Sequence, residues 1–291
     1  MLKRVLLATD LEERGFCEVK TLEKFPVEKV GEVLLLHVLD ERKGVSALDE
    51  EKEEKFKSQA KGLRDRGFNV QVHVEKGVPF YTIVEKVNEF KASLLVMGRG
   101  EMALKAKFLG ETAYRVLEEC PVPMLLCKSK EEPGPDEEPL GHVMIGIDFS
   151  DHSYNALRVL EGLAEEAKGS LKRVTLFHVH ERSNVELLER VVAKGRIQEI
   201  IDLEMKRLEE MAEALKSKGI PEVEISMRTG RVVDEFLAEV EEKKPALVIV
   251  GTQGVGRSEM FRVGSCAFRV SHKASANVLV VPLGRSWEMP F

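Results

Sequence analysis

Three glycines and a serine have the clearest capacity for chemistry in this 291-residue chain. Gly251-Thr252-Gln253-Gly254 is followed, after nine residues, by Gly264-Ser265. The run comes after an apolar stretch, Leu247–Val250, and before a short helical stretch, Cys266–Lys273. Glycine lets the backbone approach a ligand closely or take a positive φ. A helix start presents free N–H groups and the positive end of the helix dipole, so Gly264-Ser265 favours an anion. The Ser265 hydroxyl can donate to a phosphate oxygen. A polyphosphate lying between the Gly251 loop and the Ser265 helix end fits the pattern. The same residues also read as a tight turn and an N-cap, and spacing alone does not separate the two. The run is no P-loop, because Gly-Lys-Ser/Thr is missing. It is no dinucleotide fingerprint either, because Glu259 stands where a third glycine would follow Gly254 and Gly256.

Asp148 is the second candidate. It ends an apolar run, Val143–Asp148, and so belongs at the same strand edge as the glycine loop. Ligands of open α/β sheets bind outside the carboxyl ends of the strands. A carboxylate there can accept ribose hydroxyls. Its other reading is a cap for the helix that starts near Ser150, and Asp148-Phe149-Ser150-Asp151 supplies a credible N-cap. The nucleoside role is preferred.

The elements that would position these residues occur twice. Val5–Asp10 matches Val143–Asp148, Val33–Val38 matches Val174–Val179, Leu94–Met97 matches Leu247–Val250, and Pro123–Cys127 matches Asn277–Val281. The shared order indicates duplication, and so long a period means two domains. Short apolar runs without polar alternation predict strands buried on both faces. Charged stretches with helical spacing lie between them, such as the one carrying Leu203, Leu208, Met211 and Leu215. The fold class expected is α/β: two tandem doubly wound domains, each with a five-stranded parallel sheet and helices on both faces. Val70–Val74 and Val223–Met227 alternate, which places them toward sheet edges. Lys130–Pro139 holds three prolines, a glycine and five acids, and reads as a linker. The expected division is residues 1–129, a linker over 130–140, and residues 141–291.

Composition narrows the function classes. Net charge is −6, with Lys and Glu alternating in blocks and no basic run, so nucleic acid is not an expected partner. No apolar stretch is long enough to span a bilayer, and the start lacks a signal-peptide pattern. Four cysteines without CxxC spacing argue against a zinc ribbon, and a cytoplasmic location is expected. His37 and His178 occupy matching strand ends, and His180 follows two residues later. No Cys or carboxylate stands at ligand spacing from them, so no metal site is expected. Without a nucleophile elbow no catalytic residue is assigned.

Taken together, these features resemble a tandem universal stress protein. The likeness rests on the N-terminal strand ending in Asp, the His-Val strand, the Gly-x-x-Gly-x9-Gly-Ser run, the short helix and the final apolar strand. All five lie within residues 141–284. The resemblance implies an adenine nucleotide, ATP or AMP, with Mg accompanying ATP. It implies that Gly251, Gly254, Gly264 and Ser265, with Thr252 and Gln253 in the same loop, contact ribose and phosphates. It places Asp148 at the nucleoside and the Val179 backbone at the adenine edge. It further implies that Val122–Cys127 and Asn277–Val281 pair across an intramolecular axis, and a homodimer is expected. A regulated protein partner stays unnamed. A nucleotide-binding stress-response module is preferred over a slow ATP hydrolase or a scaffold with a vestigial site.

The first copy departs from the pattern. Aligning Gly110 with Gly264 sets Gly100 on Gly254, Met97 opposite Gly251 and Glu111 opposite Ser265. An alternative sets Gly98 at the first glycine with one residue deleted. Glu111 would repel a phosphate by roughly 4 kcal/mol for unit charges at 4 Å and an effective dielectric near 20. Arg99, Lys105 and Lys107 could offset part of that. The first copy is therefore expected to bind ATP poorly, with Asp10 and Val38 left as nucleoside contacts. Arg257 and Arg262 could touch terminal phosphates, Met102 and Met260 read as packing residues, and the apolar 287–291 tail is expected to cover an interface.

Overall fold

The computed structural model describes residues 2–11, 17–100, 109–128, 140–167, 169–182, 194–254 and 263–283. The linker 130–139, Met102, Lys105, Lys107, Arg257, Met260, Arg262 and the 287–291 tail lie outside them.

The apolar runs form strands: β1 (Arg4–Ala8), β2 (Glu32–Asp40), β3 (Val70–Gly77), β4 (Leu94–Gly98), β5 (Met124–Cys127), β6 (His142–Gly146), β7 (Arg173–Glu181), β8 (Glu222–Gly230), β9 (Leu247–Gly251) and β10 (Asn277–Val281). The helices are α1 (Cys17–Glu23), α2 (Glu50–Asp65), α3 (Pro79–Glu89), α4 (Glu111–Glu119), α5 (Asp151–Glu166), α6 (Lys194–Ser217), α7 (Val232–Lys243) and α8 (Ser265–Lys273). Local chemistry sets their starts. The Asp49 carboxylate accepts from Lys52 N–H before α2, with three glutamates in the first turn. Pro79 opens α3, where its missing N–H costs nothing.

All ten strands join one sheet in the order β3-β2-β1-β4-β5-β10-β9-β6-β7-β8. Pairing is parallel within each half. The single reversal is at the centre, where β5 and β10 pair antiparallel through Leu126–Val278, Leu125–Leu279 and Met124–Val280. The two halves therefore share a sheet, and the expected final-strand pairing is present. β3 and β8 are the outer strands. Alternating sequence fits such positions, where one face is only partly covered.

Two cores line the sheet, and each runs through both halves. One packs α1, α2, α5 and α6 against Val5, Leu35, Val143 and Ile249. The other packs α3, α4, α7 and α8 against Leu6, Leu95, Met144 and Val248. A buried arginine crosses the seam: Arg99, just after β4, donates through Nη1 to the Ala274 carbonyl at 2.7 Å and through Nη2 to that of Ala276. One core expectation shifts. Leu208 and Leu215 are buried as their spacing suggests, but Leu203 is 51 % exposed. Gln198, Glu199, Ile200 and Asp202 on α6 are exposed as well, so this part of the helix faces solvent.

Candidate functional site

Strand order reverses between β6 and β9, because their connections leave toward opposite sides. The carboxyl ends of these two strands border a crevice, the usual ligand position in such sheets. Asp148 follows β6 there, and Gly251 ends β9. Asp148 and the Gly251–Gly254 loop thus meet at one strand edge.

The Gly251 loop is fixed by backbone bonds and by lack of space. Thr252 N–H donates to Val281 O at 3.0 Å, and Gly264 N–H donates to Thr252 O at 2.6 Å. The second bond ties the start of α8 to the end of β9. A Cβ on Gly251 would stand 2.8 Å from His152 Cβ, and one on Gly254 would collide with Asp148 Oδ2. Gly264 lies against Gln253 Cα and Thr252 O, each 3.3 Å from where its Cβ would be. The glycines are thus places where α5, the Asp148 turn and α8 meet the loop backbone. Thr252 is buried, and its hydroxyl shares a 3.0 Å hydrogen bond with His152 Nδ1. Its side chain shapes the loop from beneath, while Gln253 and Gly254 are half-exposed.

Asp148 braces the residue that caps α5. Oδ1 accepts from Ser150 N–H at 3.0 Å and from Ser150 Oγ at 2.5 Å. Ser150 in turn caps α5, accepting from Ser153 N–H at 3.2 Å. Phe149 takes a positive φ of 60°, which sharpens the turn. The other oxygen, Oδ2, faces Gly254 across the crevice. The Cys266 thiol on α8 lies near enough to feel that carboxylate. Burial first, and then Asp148, push it up to about 12, so it stays a neutral thiol.

Helix α8 starts at an N-cap, Gly264, that offers no side-chain hydrogen bond. Ser265 is exposed at its first position. Val179 lies on β7, with its side chain against the second core. Phe177 O accepts from Ile147 N–H at 2.8 Å, so Phe177 turns its backbone toward β6. By strand alternation Val179 does the same two residues later, beyond the last residue of β6.

The first half keeps the frame and changes the site. Gly110 N–H donates to Arg99 O at 3.0 Å, as Gly264 does to Thr252, and Arg99 N–H reaches Cys127 O as Thr252 N–H reaches Val281 O. These pairings set Gly98 opposite Gly251, which is the one-residue deletion. Glu111 occupies the first position of α4 and is exposed, with Arg42 Nη1 at 3.7 Å. Arg99 cannot offset its charge, contrary to the expectation. The guanidinium is buried and committed to the α8–β10 carbonyls of the other half.

Sequence spacing also missed a cluster beside the crevice. His178 and His180 lie on the same face of β7, toward α6, and Glu204 of α6 reaches both: its Oε2 is 3.9 Å from His178 Nε2 and 3.3 Å from His180 Nδ1. Nothing near the histidines in sequence announces Glu204, which arrives through the β7–α6 connection. Burial, and then the neighbouring His178, lower the His180 pKa from its ordinary value near 6.5.

The family assignment follows from comparison with known proteins. Residues 1–128 and 139–282 each match the model of the Universal stress protein family. The chain belongs to that family. A universal stress protein of Methanocaldococcus jannaschii, MJ0577, is 29 % identical over 157 residues, covering 45 % of this chain and 97 % of the relative. A Thermus aquaticus universal stress protein is 25 % identical over 140 residues, covering 48 % and 96 %. Each relative is thus matched almost whole by under half of this chain. A universal stress protein structure from Archaeoglobus fulgidus covers 98 % of this chain and 100 % of its own, with a TM-score of 0.69 at 23 % identity. The universal stress protein fold therefore extends over both halves. Among the described residues, no helix is long and apolar enough to cross a membrane.

Proposed function

We propose that the second half of this universal stress protein holds an adenine nucleotide in the β6–β9 crevice and that the first half does not. The observation that carries the proposal is the contrast between two helix starts in equivalent frames. Ser265 opens α8 where Glu111 opens α4, and each helix has a glycine N-cap that supplies no side-chain hydrogen bond. An uncapped helix start accepts a phosphate at α8, whereas at α4 a carboxylate already occupies that potential. In the second half, Gly254 and Gly264 let a polyphosphate approach the loop backbone, with Ser265 Oγ as donor. Asp148 Oδ2 faces the ribose position, and the Val179 backbone meets the adenine edge. Where ATP is the ligand, Mg²⁺ enters with its phosphates, and Asp148 is a carboxylate the crevice offers it. Within the family, one universal stress protein was solved in complex with cAMP.

Binding is favoured over hydrolysis. Asp148 is fixed as an acceptor for the Ser150 N–H and hydroxyl, which suits a positioning carboxylate better than a general base. In this role the protein works in the cytoplasm, assembles as a homodimer, and reports nucleotide state to a partner. The test is Ser265→Glu, which copies the first half's carboxylate onto α8. Ser265 is exposed, so the substitution should leave the ligand-free melting temperature within about 2 °C. ATP affinity measured by calorimetry should fall at least about 30-fold, or about 2 kcal/mol, half of the roughly 4 kcal/mol repulsion. Unchanged affinity would place the phosphates elsewhere.

A further inference from the structure

We propose that His178, His180 and Glu204 form a binding site for a divalent transition cation of the zinc type, separate from the nucleotide crevice. The three ligand atoms lie within 4.8 Å of one another. The separations from Glu204 Oε2, 3.9 Å to His178 Nε2 and 3.3 Å to His180 Nδ1, need little closing. Two ligands each about 2.0–2.1 Å from a tetrahedral ion stand about 3.3 Å apart.

The tautomer is already set. The Nδ1–H of His178 donates to the Ile147 carbonyl at 2.7 Å, so Nε2 carries the lone pair and faces Glu204. A backbone carbonyl that fixes a ligating imidazole in this way is the usual outer support of a histidine metal site. Phe149 packs on the His178 ring at 5.0 Å between centroids and holds it in place, and the two imidazoles meet edge to face at 4.8 Å. Two polar atoms of the cluster are also left without partners. Glu204 Oε2 and His180 Nε2 are buried with no hydrogen-bond partner. Among the described residues, Glu204 has no Lys or Arg within ion-pair distance, only the two imidazoles. A buried polar atom left unsatisfied is costly, and a cation would satisfy Glu204 Oε2 while taking a lone pair from each ring. Two imidazoles and a carboxylate suit zinc and its neighbours rather than magnesium or calcium, which prefer all-oxygen sites. Three protein ligands leave a position for water or an anion.

The experiment titrates Co²⁺ into chelator-stripped, full-length protein without nucleotide and follows visible ligand-field absorption. Saturation at about one equivalent is expected, with displacement by Zn²⁺. His180→Ala and Glu204→Gln should each weaken binding at least about tenfold. Both variants should keep their metal-free melting temperature within about 2 °C and should bind ATP as the parent does. Glu204→Gln keeps the shape of the side chain, so it reads ligation even if His180→Ala perturbs packing. Three results would overturn the proposal: no saturable binding, binding unchanged in both variants, or a thiolate charge-transfer band showing a cysteine site instead. None of these bears on the nucleotide crevice, so the two proposals fail independently.

Discussion

Glu18 shows how strongly one position can depend on its surroundings. It lies on α1 behind Gly98, 1 % exposed, with its Oε2 3.6 Å from where a Gly98 Cβ would be. Desolvation raises its pKa from about 4.5 to about 7, against smaller opposing hydrogen bonds from its own backbone, Thr9 and Cys17. The folded protein therefore holds a proton that the unfolded chain releases, between pH 4.5 and 7. Stability from this group is intact at acid pH and declines as pH rises through that window, by up to about 3 kcal/mol above it. Glu18→Gln removes the titration. Urea unfolding should show the variant gaining on the parent protein between pH 5 and pH 8, and an equal difference at both pH values would refute the assignment. Legibility at this scale followed residue type. Gly251, Gly254 and Gly264 could be read because glycine announces a backbone requirement wherever it stands. The partners that impose it, His152 and Asp148 Oδ2, could be read only in part, because side-chain direction is set by packing. Glu204 could not be read at all, since a glutamate in a Glu/Lys-rich helix looks like any solvated one.

At the scale of elements, the strands were legible because a strand buried on both faces is an uninterrupted apolar run, and its order in the chain repeats. The outer strands β3 and β8 showed themselves by alternation. The exposure of Leu203 on α6 did not, because periodicity reports a face and not what covers it. Arg99 belongs here as well. A charged residue next to a glycine looked like a surface group near Glu111, yet it joins β4 to the α8–β10 turn across the seam. Its guanidinium donates to both carbonyls from a buried position. Arg99→Met keeps most of the apolar stem and removes both bonds. The expected cost is about 2–4 kcal/mol in urea unfolding. A loss under about 0.5 kcal/mol would mean that solvent reaches those carbonyls and that the seam rests on β5–β10 pairing alone.

Over the whole molecule, duplication produced two equivalent frames with unequal ends. The sheet, the two cores and the turn bonds at Thr252 and Arg99 repeat across the halves. Gly254, Ser265 and the free helix start are matched in the first half by a shortened loop, Glu111 and a committed Arg99. On the proposed reading one half binds and the other supports it, and through the shared sheet a ligand in the second half would stabilise both. The central claim is a single nucleotide site per chain, and one measurement tests it most directly. Purified protein is denatured, and the released nucleotide is identified by mass spectrometry and counted against protein, before and after saturation with ATP. About one adenine nucleotide per chain is predicted, falling to near zero in Ser265→Glu. Two per chain would contradict the role given to Glu111, and none, with no shift in melting temperature on adding ATP, would contradict the binding function itself.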